Sequence, residues 1–254
     1  MKCFLLATAI LCVLGAQAAP DRTARIFGGE IAHHQPYNAY ILYVNAANAG
    51  FFGGGTIISD RHIITSARNI EGFSRWDIGV GSNVFAHLSI ISSTRAIQHP
   101  SFNAANRVND IGIIELPSSL VFTTSVAPVA LPPLSAVDTN NLPYENEQGS
   151  IVGFGFTTEL STGQASFLKR AFQRVVANTR CSITNPQAFC AEDADRATNI
   201  CVGDIGAGFI TEVRGQPTLT GIASNIVAMC SNTNPTEYTR VESHRSWINN
   251  HTQV

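Results

Sequence analysis

Three short segments hold the residues whose chemistry decides what this chain can do. The first is Thr65-Ser66-Ala67-Arg68-Asn69, the second begins at Asp110, and the third is Cys201-Val202-Gly203-Asp204-Ile205-Gly206. An isoleucine side chain can neither attack a carbonyl nor pass on a proton. Arginine stays protonated at any working pH, so Arg68 cannot act as a general base. Two of the three segments therefore present side chains that cannot perform acid–base or nucleophilic chemistry.

Composition excludes several classes of function. The chain has 16 Lys plus Arg against 18 Asp plus Glu, a formal charge of -2, and no basic run that would suggest nucleic acid or an anionic surface. Charged residues make up 13% and apolar residues 44% of the chain, which predicts a packed globular core rather than disorder. The histidines are scattered without the spacing of a metal site, and no cofactor is predicted.

The first 18 residues are typical of a cleavable secretory signal. Met1-Lys2 precedes an apolar run over residues 3–14, and Ala16-Gln17-Ala18 follows it. The run is too short to span a bilayer. No later segment has the length and freedom from charge of a membrane span, so we expect a soluble, secreted, extracellular product.

The cysteine count predicts two disulfide bonds. Cys3 and Cys12 leave with the signal, and four cysteines remain in an oxidising compartment: Cys181, Cys190, Cys201 and Cys230. An even number leaves no unpaired thiol.

Asn250-His251-Thr252 matches the acceptor pattern for an N-linked glycan. Glycosylation of Asn250 would suit a secreted protein with an exposed tail. The alternative is an unmodified C-terminal turn, because the pattern is short and often unused.

The apolar segments are short, rich in β-branched or aromatic residues, and separated by glycine, asparagine, serine and proline. They lie at residues 40–44, 56–58, 62–65, 111–116, 150–154 and 219–222. Many short strands over this length predict an all-β sandwich or a pair of barrels. Residues 131–143 are the best candidate for a connection between two halves. A helix is expected at the C-terminus around Trp247, which we interpret as a packing anchor, and a weaker one over residues 173–182.

Seven segments, in this order, resemble the chymotrypsin-like serine proteases and cover essentially the whole chain after Arg25. They are Arg25-Ile26-Phe27-Gly28-Gly29, Gly53-Gly54 before Thr56-Ile57-Ile58-Ser59, Ile63-Ile64-Thr65-Ser66-Ala67, Asp110-Ile111-Gly112-Ile113-Ile114-Glu115-Leu116, Gly153-Phe154-Gly155, Cys201-Val202-Gly203-Asp204, and Pro235-Thr236-Glu237-Tyr238-Thr239-Arg240-Val241. One such match would be weak, but seven in sequence order are specific.

The resemblance implies two six-stranded antiparallel β-barrels, over residues 26–135 and 136–240, with a C-terminal helix over 241–254. It implies a propeptide at residues 19–25, released by cleavage after Arg25. It also implies that Cys181 pairs with Cys190 and Cys201 with Cys230. The family's disulfide beside its catalytic histidine is missing at both ends, where Phe52 and Asn69 stand, so no thiol is stranded.

The resemblance further implies a degenerate catalytic triad. Active members use a serine nucleophile, a histidine base and an aspartate that orients the histidine. Here Ile205 stands at the serine position and Arg68 at the histidine position, and only Asp110 matches. The backbone oxyanion site of the family would lie at Gly203 and Ile205.

Other side chains are poor replacements for the missing groups. His62 lies six residues before Arg68 on a predicted strand, which places it far from Asp110, and His99 lies eleven residues before Asp110. Ser66 resembles a small buried residue of the family, so we interpret all three as structural or surface residues. A carboxylate buried without a partner is costly. We therefore expect Arg68 to pair with Asp110; the alternative is Arg68 in solvent with Asp110 bound by backbone amides.

Two further sets of residues follow from the resemblance. Asp204 matches the carboxylate that receives the new α-amino group after zymogen cleavage, here that of Ile26, which predicts a conformational switch without catalysis. The primary specificity pocket carries Asn199 at its base, Ser224-Asn225-Ile226 along one edge, and Thr236 in place of a wall glycine. These side chains are expected to narrow or fill the pocket.

The sequence favours a secreted, catalytically inactive serine protease homologue, a pseudoenzyme that binds a protein partner as cofactor, decoy or regulator of extracellular proteolysis. One alternative is an active endopeptidase with a non-standard site. Another is a module of the same fold that binds carbohydrate or a microbial surface, because fold alone does not fix function. The partner would be a protease, a zymogen or an inhibitor.

Overall fold

Short β-branched runs form antiparallel strands throughout the chain, as the sequence predicts. The computed structural model describes residues 29–33, 35–134, 142–157, 163–193, 195, 198–226 and 234–254. The strands are β1 (Glu30–Ile31), β2 (Asn38–Val44), β3 (Gly50–Ile57), β4 (His62–Thr65), β5 (Arg75–Val80), β6 (Ser89–Ser93), β7 (Arg95–Gln98), β8 (Gly112–Glu115), β9 (Gln148–Gly153), β10 (Lys169–Val176), β11 (Ala188–Glu192), β12 (Gly208–Val213), β13 (Gln216–Ile226) and β14 (Thr236–Arg240). They form two sheets: β2–β8 make the sheet of the first half of the chain, and β9–β14 make the sheet of the second half, which β1 also joins.

The sheet of the first half curls on itself. Its strand order is β6-β5-β2-β3-β4-β8-β7, so β6 and β7 lie at opposite edges. Only Thr94 separates these two strands in sequence, which requires the two edges to approach each other. Isoleucines at alternate positions, such as Ile41 and Ile78, are fully buried inside this curl.

The sheet of the second half is a closed barrel. Strands β10, β11, β14, β13, β12 and β9 follow one another, and β9 pairs with β10 to close the ring, while β1 adds to β10 outside it. The rings of Phe189, Phe209 and Tyr238 pack together within the barrel, with ring centroids 4.9–5.5 Å apart. The predicted all-β fold class of paired barrels is confirmed, with six strands in the closed ring and seven in the curled sheet.

The two halves pack through a shared apolar layer. Ile64 and Ile111 of the first half lie in one cluster with Leu219 and Ile222 of the second. Close contact is also made by β3, where the backbone N–H of Gly54 donates to the carbonyl of Ile205 at 2.9 Å. A Cβ atom at Gly54 would lie 2.6 Å from the Cβ of Ala207, so glycine is required for this approach. The contact places the Ile205 loop against the first half.

The C-terminal segment is helical, as the sequence predicts, with a 3-10 turn at Glu242–His244 and α1 at Arg245–Thr252. Ile248 is fully buried, and the ring of Trp247 packs against His99 at 5.1 Å. The helix expected over residues 173–182 is wrong in its first half. Those residues end strand β10, whose side chains alternate between buried and exposed, and only Asn178–Cys181 forms a 3-10 turn.

Candidate functional site

Arg68 lies in a single 3-10 turn, Ala67–Asn69, that directly follows strand β4. Ser66 begins the turn, and its hydroxyl accepts the backbone N–H of Arg68 at 3.2 Å. The next residue, Asn69, is buried and receives the indole N–H of Trp76 on its carbonyl at 2.8 Å. The backbone around Arg68 is therefore fixed, while its side chain is only partly buried.

Asp110 is fully buried and hydrogen-bonded at both carboxylate oxygens. Oδ1 accepts the Ser66 hydroxyl at 2.5 Å and the Arg68 backbone N–H at 3.2 Å, and Oδ2 accepts the Ser224 hydroxyl at 2.6 Å. Burial raises the pKa of Asp110, and the hydrogen bonds from Ser224, Ser66 and Arg68 oppose that rise. Two serines and one amide thus satisfy this carboxylate.

The guanidinium of Arg68 makes no direct ion pair with Asp110, although its charge lowers the pKa of that carboxyl group. Arg68 reaches Asp110 through its backbone N–H, and the guanidinium is absent from the ion pairs of the described residues. Both oxygens of the carboxylate already accept hydrogen bonds, because Ser66 donates to one and Ser224 to the other. The alternative prediction, in which Asp110 is bound without the guanidinium, is closer to the structure. Hydroxyl groups, however, supply two of the three hydrogen bonds to Asp110, and a backbone amide supplies only one.

Ile205 occupies a tight loop before strand β12. The flanking glycines have positive φ angles, +94° at Gly203 and +91° at Gly206, a region that favours glycine. The carbonyl of Ile205 accepts the backbone N–H of Gly54 and the side-chain amide of Asn69, both at 2.9 Å. These bonds hold the loop against the first half of the chain.

Arg68 and Ile205 line one cavity of about 570 Å³ at the junction of the two halves. The side chains around it include Asn69 and Asn225, and the rest of its lining is mostly aromatic or aliphatic. Serine, cysteine, threonine, histidine and lysine do not occur among the described residues that line it. The cavity therefore holds a cation and apolar groups but none of the usual nucleophiles or bases of amide hydrolysis.

The backbone N–H groups of Gly203 and Ile205, at the predicted oxyanion site, have no acceptor within the described part of the chain. Gly203 is buried beneath the ring of Phe52, which a Cβ atom at this glycine would meet at 2.1 Å. These two N–H groups are free to donate to a ligand in the cavity.

Asp204 points away from the cavity into the second half and is fully buried. Its Oδ1 accepts the N–H of Gly155 and its Oδ2 accepts the N–H of Cys201, both at 2.9 Å. Burial raises its pKa to about 7, against the opposing effect of those two hydrogen bonds. Among the described residues Asp204 has no cationic partner, and the predicted partner, the amine of Ile26, lies outside them together with Arg25.

The specificity-pocket residues form a buried hydrogen-bond network. Asn199 Oδ1 accepts the side chains of Thr236 at 2.8 Å and Gln173 at 3.1 Å, and Gln173 in turn accepts the hydroxyl of Tyr238 at 2.6 Å. Asn199 is 5% exposed and Thr236 is 1% exposed, so neither offers a free polar group to a ligand. This supports the expectation that side chains fill the pocket base.

The three residues predicted at the pocket edge separate in the structure. Ser224 turns inward to Asp110 and is buried, whereas Asn225 and Ile226 are partly exposed and line the cavity with Ile205. The register of β13 against β14 shifts between Ala223 and Asn225, so Ser224 is the extra residue of a β-bulge, which can redirect a side chain.

The two histidines considered as replacements make other contacts. His62 Nδ1 lies 2.8 Å from the hydroxyl of Ser59, and the ring of His99 packs on His244 and Trp247. Burial lowers the pKa of both rings, which disfavours the imidazolium. Neither lines the cavity.

Residues 26–248 match the family described as Trypsin, and the match spans both sheets. This chain belongs to the trypsin family. Among its relatives, chymotrypsin of Phaedon cochleariae is 26% identical over 93% of this chain and 86% of that protein. A protein of Anopheles gambiae named inactive CLIP domain-containing serine protease A8 is 25% identical over 78% of this chain and 58% of its own length. The solved structure of HL collagenase superposes with a TM-score of 0.78 at 25% identity, covering 89% of this chain and 98% of that one.

The comparisons confirm the family and the chymotrypsin fold that the resemblance implied. The predicted bond between Cys181 and Cys190 is present in this trypsin-family chain, and Cys201 is disulfide-bonded as well. Cys230, its expected partner, lies outside the described residues, as do the signal segment 1–18 and the propeptide 19–25. Asn250 is exposed on α1, so a glycan there would project into solvent.

The described residues contain no group of three or more His, Cys, Asp or Glu side chains arranged to hold a metal ion. They also contain no helix with both the length and the apolar character needed to cross a membrane.

Sequence reasoning missed the roles of Ser66, Asn69 and Gln173. Ser66 was interpreted only as a small buried residue, yet it donates to Asp110. Asn69 was noted only as the replacement for a disulfide cysteine, yet its amide links Thr65 and Ile205 across the two halves of this trypsin-family fold. Polar residues inside otherwise apolar strands were the available signal, because buried polar groups almost always have partners.

Replacing Asn69 with alanine is expected to lower the free energy of unfolding by about 1–2 kcal/mol. The change removes hydrogen bonds to Thr65 Oγ1 and to the Ile205 carbonyl. Thr65 Oγ1 still donates to the Gly54 carbonyl, and the Ile205 carbonyl still accepts the Gly54 N–H. Urea unfolding followed by tryptophan fluorescence measures the effect. Asn225→Ala is the matched control, since Asn225 lines the same cavity without a side-chain hydrogen bond in the described residues. Equal losses in both variants would contradict the bridging role of Asn69.

Proposed function

We propose that this trypsin-family chain is a secreted, non-catalytic homologue that works by binding a protein in extracellular proteolysis. It would act as a cofactor, decoy or regulator, with a protease, a zymogen or an inhibitor as its partner. The secretory pattern of residues 1–18 supports export. The described residues that line the cavity include no group able to carry out hydrolysis, which supports binding as its activity.

One observation carries the non-catalytic proposal: Ile205 and Arg68 line the same cavity, and the described residues around it include no serine, threonine, cysteine, histidine or lysine. Peptide hydrolysis on this fold needs an attacking hydroxyl and a base that accepts its proton. Tyr43 is the only hydroxyl-bearing side chain in the described lining, and it donates to the carbonyl of Phe52 at 3.3 Å. Burial raises the pKa of Tyr43, which makes its phenolate less accessible.

The buried carboxylate also supports this proposal. In an active triad the aspartate orients a histidine. Here both oxygens of Asp110 are used by Ser66, Ser224 and the Arg68 amide, and the residue at position 68 is an arginine that cannot act as a base. Asp110 therefore contributes to the packing between the two halves, through Ser224 of strand β13.

An active endopeptidase is the second candidate, because the names of relatives such as chymotrypsin and collagenase describe working proteases. Such an enzyme would need a nucleophile outside the cavity described above. The relative named an inactive serine protease favours the first candidate.

Labelling with a fluorophosphonate decides between these candidates. The chain, cleaved after Arg25, is expected to show no covalent labelling and no turnover of mixed peptide substrates, while an active chymotrypsin in the same buffer labels fully. Hydrolysis of a peptide substrate above the rate of a buffer blank would refute the proposal, provided that one substitution in the chain abolishes it. Partner identity is then tested by crosslinking in the source fluid.

We also propose that cleavage after Arg25 changes the conformation of the loops around the cavity. Asp204 is buried with no cation near it among the described residues, so a new amine at Ile26 would find an acceptor there. The proposal predicts that blocking the Ile26 amine changes the affinity for the partner. Identical affinities with free and blocked amine would contradict it.

A further inference from the structure

The cavity beside Ile205 has an apolar wall that is already assembled. Its apolar and aromatic lining consists of Tyr43, Phe51, Phe52, Phe73, Phe156, Val202, Ile205 and Ile226. The rings of Tyr43 and Phe73 meet edge-on at 4.5 Å, and Phe51 lies 5.8 Å from Phe73. Phe52 contacts Phe156 at 5.6 Å on the other side. Mutual packing of the rings therefore fixes the shape of the wall before any ligand arrives.

This wall leaves apolar groups in contact with water. Phe51 is 53% exposed and Val202 is 41% exposed, although both border a concave surface. A cavity of about 570 Å³ lies in the size range of small-molecule sites, which are mostly apolar with a few polar groups that orient the ligand. The apolar wall supplies the first of these two requirements.

Arg68 and two backbone amides supply the second requirement. Arg68 is the one charged side chain among the described residues of the lining, and its guanidinium has no ion-pair partner within the described part of the chain. The N–H groups of Gly203 and Ile205 border the same cavity without acceptors there. Cationic and N–H donors of this kind bind carboxylates, and the guanidinium fork matches the two oxygens of one carboxylate.

We propose that the cavity binds a small amphiphilic carboxylic acid, with the carboxylate at Arg68 and the hydrocarbon or aromatic body against the ring wall. The guanidinium makes no ion pair among the described residues and therefore favours an anionic ligand group, and the single cation in the described lining favours one carboxylate over a phosphate group. The extent of the apolar wall requires more than a formate- or acetate-sized ligand. No bond is made or broken, so the site acts by binding alone and does not depend on the proposed protein partner.

The test is isothermal titration calorimetry of the full secreted chain with decanoate, kept below its micelle concentration. Decanol and acetate serve as ligands that lack the charge or the chain. Decanoate is expected to bind at least tenfold more tightly than either. Acetate lacks the methylenes, each of which strengthens binding by roughly fourfold when buried, and decanol lacks the carboxylate that would pair with Arg68. Equal affinity for decanoate and decanol would overturn the proposal, and so would no binding of decanoate.

Substitutions at the cavity test whether Arg68 is the group that binds the carboxylate of decanoate. Arg68→Gln is expected to weaken decanoate binding at least tenfold and to leave decanol binding unchanged, while Arg68→Lys restores part of the loss. Arg95→Gln is the matched control, because Arg95 is an exposed arginine paired with Glu115 away from the cavity. Ile205→Asp places an anion in the cavity and is expected to abolish decanoate binding. Unchanged affinity in both Arg68→Gln and Ile205→Asp would refute the assignment.

A peptide C-terminus presents the same carboxylate chemistry as a fatty acid. N-acetyl-leucyl-phenylalanine, with its carboxylate free, separates the two sources when compared with decanoate. Weaker binding of the dipeptide supports the small-acid assignment. Binding of the dipeptide more than tenfold tighter than decanoate would overturn it in favour of a peptide ligand.

Discussion

The stability advantage of wild type over an Asp204→Asn variant is expected to fall by about 2–3 kcal/mol between pH 5 and pH 8, in the chain that is intact at Arg25. Asp204 is fully buried and accepts N–H groups from Gly155 and Cys201, and burial raises its pKa from 3.8 to about 7. Because the folded chain holds this proton more tightly than the unfolded chain, the stabilisation is complete below pH 3.8 and is lost as the pH rises through about 7.

Asparagine carries no titrating proton, so the variant should lack this pH dependence. The variant also loses an amount of unfolding free energy that does not depend on pH, because its amide NH2 group must face one of the two N–H donors, Gly155 or Cys201. Urea unfolding at several pH values measures both quantities. The difference in unfolding free energy between wild type and variant cancels the contributions of other titrating groups. One of these is His244, whose pKa burial lowers to about 4, so that its contribution to stability is lost in the opposite direction, as the pH falls.

Cleavage after Arg25 gives a second comparison. An amine at Ile26 beside Asp204 would favour the carboxylate and lower its pKa, so the fall between pH 5 and pH 8 should largely disappear in the cleaved chain. A fall of the same size in cleaved and intact chains would contradict the role of Asp204 as acceptor of the new amine. Parallel curves for wild type and Asp204→Asn in the intact chain would contradict the raised pKa itself.

The strands could be predicted from the sequence where β-branched and other apolar residues form a short local run. His62–Thr65 is such a run, and the predicted strand coincides with β4. The helix expected over residues 173–182 failed because Gln173 is a polar residue on the buried face of β10. Its partners, Asn199 and Tyr238, are 26 and 65 residues away in sequence. No local pattern reveals that a buried glutamine will be satisfied at such a distance.

In the candidate site, too, the positions of the residues could be predicted but their long-range partners could not. The family resemblance placed Arg68, Asp110 and Ile205 near one another, and the structure does bring Arg68 and Asp110 into contact and Arg68 and Ile205 into one cavity. It could not give the partners of Asp110, because Ser66 and Ser224 lie 44 and 114 residues away. Charge complementarity favours arginine as the partner of Asp110, but in the structure the hydroxyl groups of Ser66 and Ser224 donate to the carboxylate instead.

Replacing both Ser66 and Ser224 with alanine is expected to cost about 3–5 kcal/mol of unfolding free energy at pH 7, the range for removing the partners of a buried charge. Ser224→Ala alone should cost about 2 kcal/mol, since it removes the only donor to Asp110 Oδ2 among the described residues. Arg68→Gln should change stability by less than about 0.5 kcal/mol, because the guanidinium makes no ion pair there. Urea unfolding with tryptophan fluorescence measures all three variants.

Ser92→Ala is the matched control for the serine variants. Its hydroxyl also donates to an aspartate, Asp77, at 2.6 Å, but at an exposed position where water can replace it. Its loss is therefore expected to cost no more than about 0.5–1 kcal/mol. A cost for Arg68→Gln equal to that of Ser224→Ala would show that the guanidinium does support Asp110. Equal costs for Ser92→Ala and Ser224→Ala would show that burial adds nothing to the hydrogen bond, and that Asp110 is held by other means.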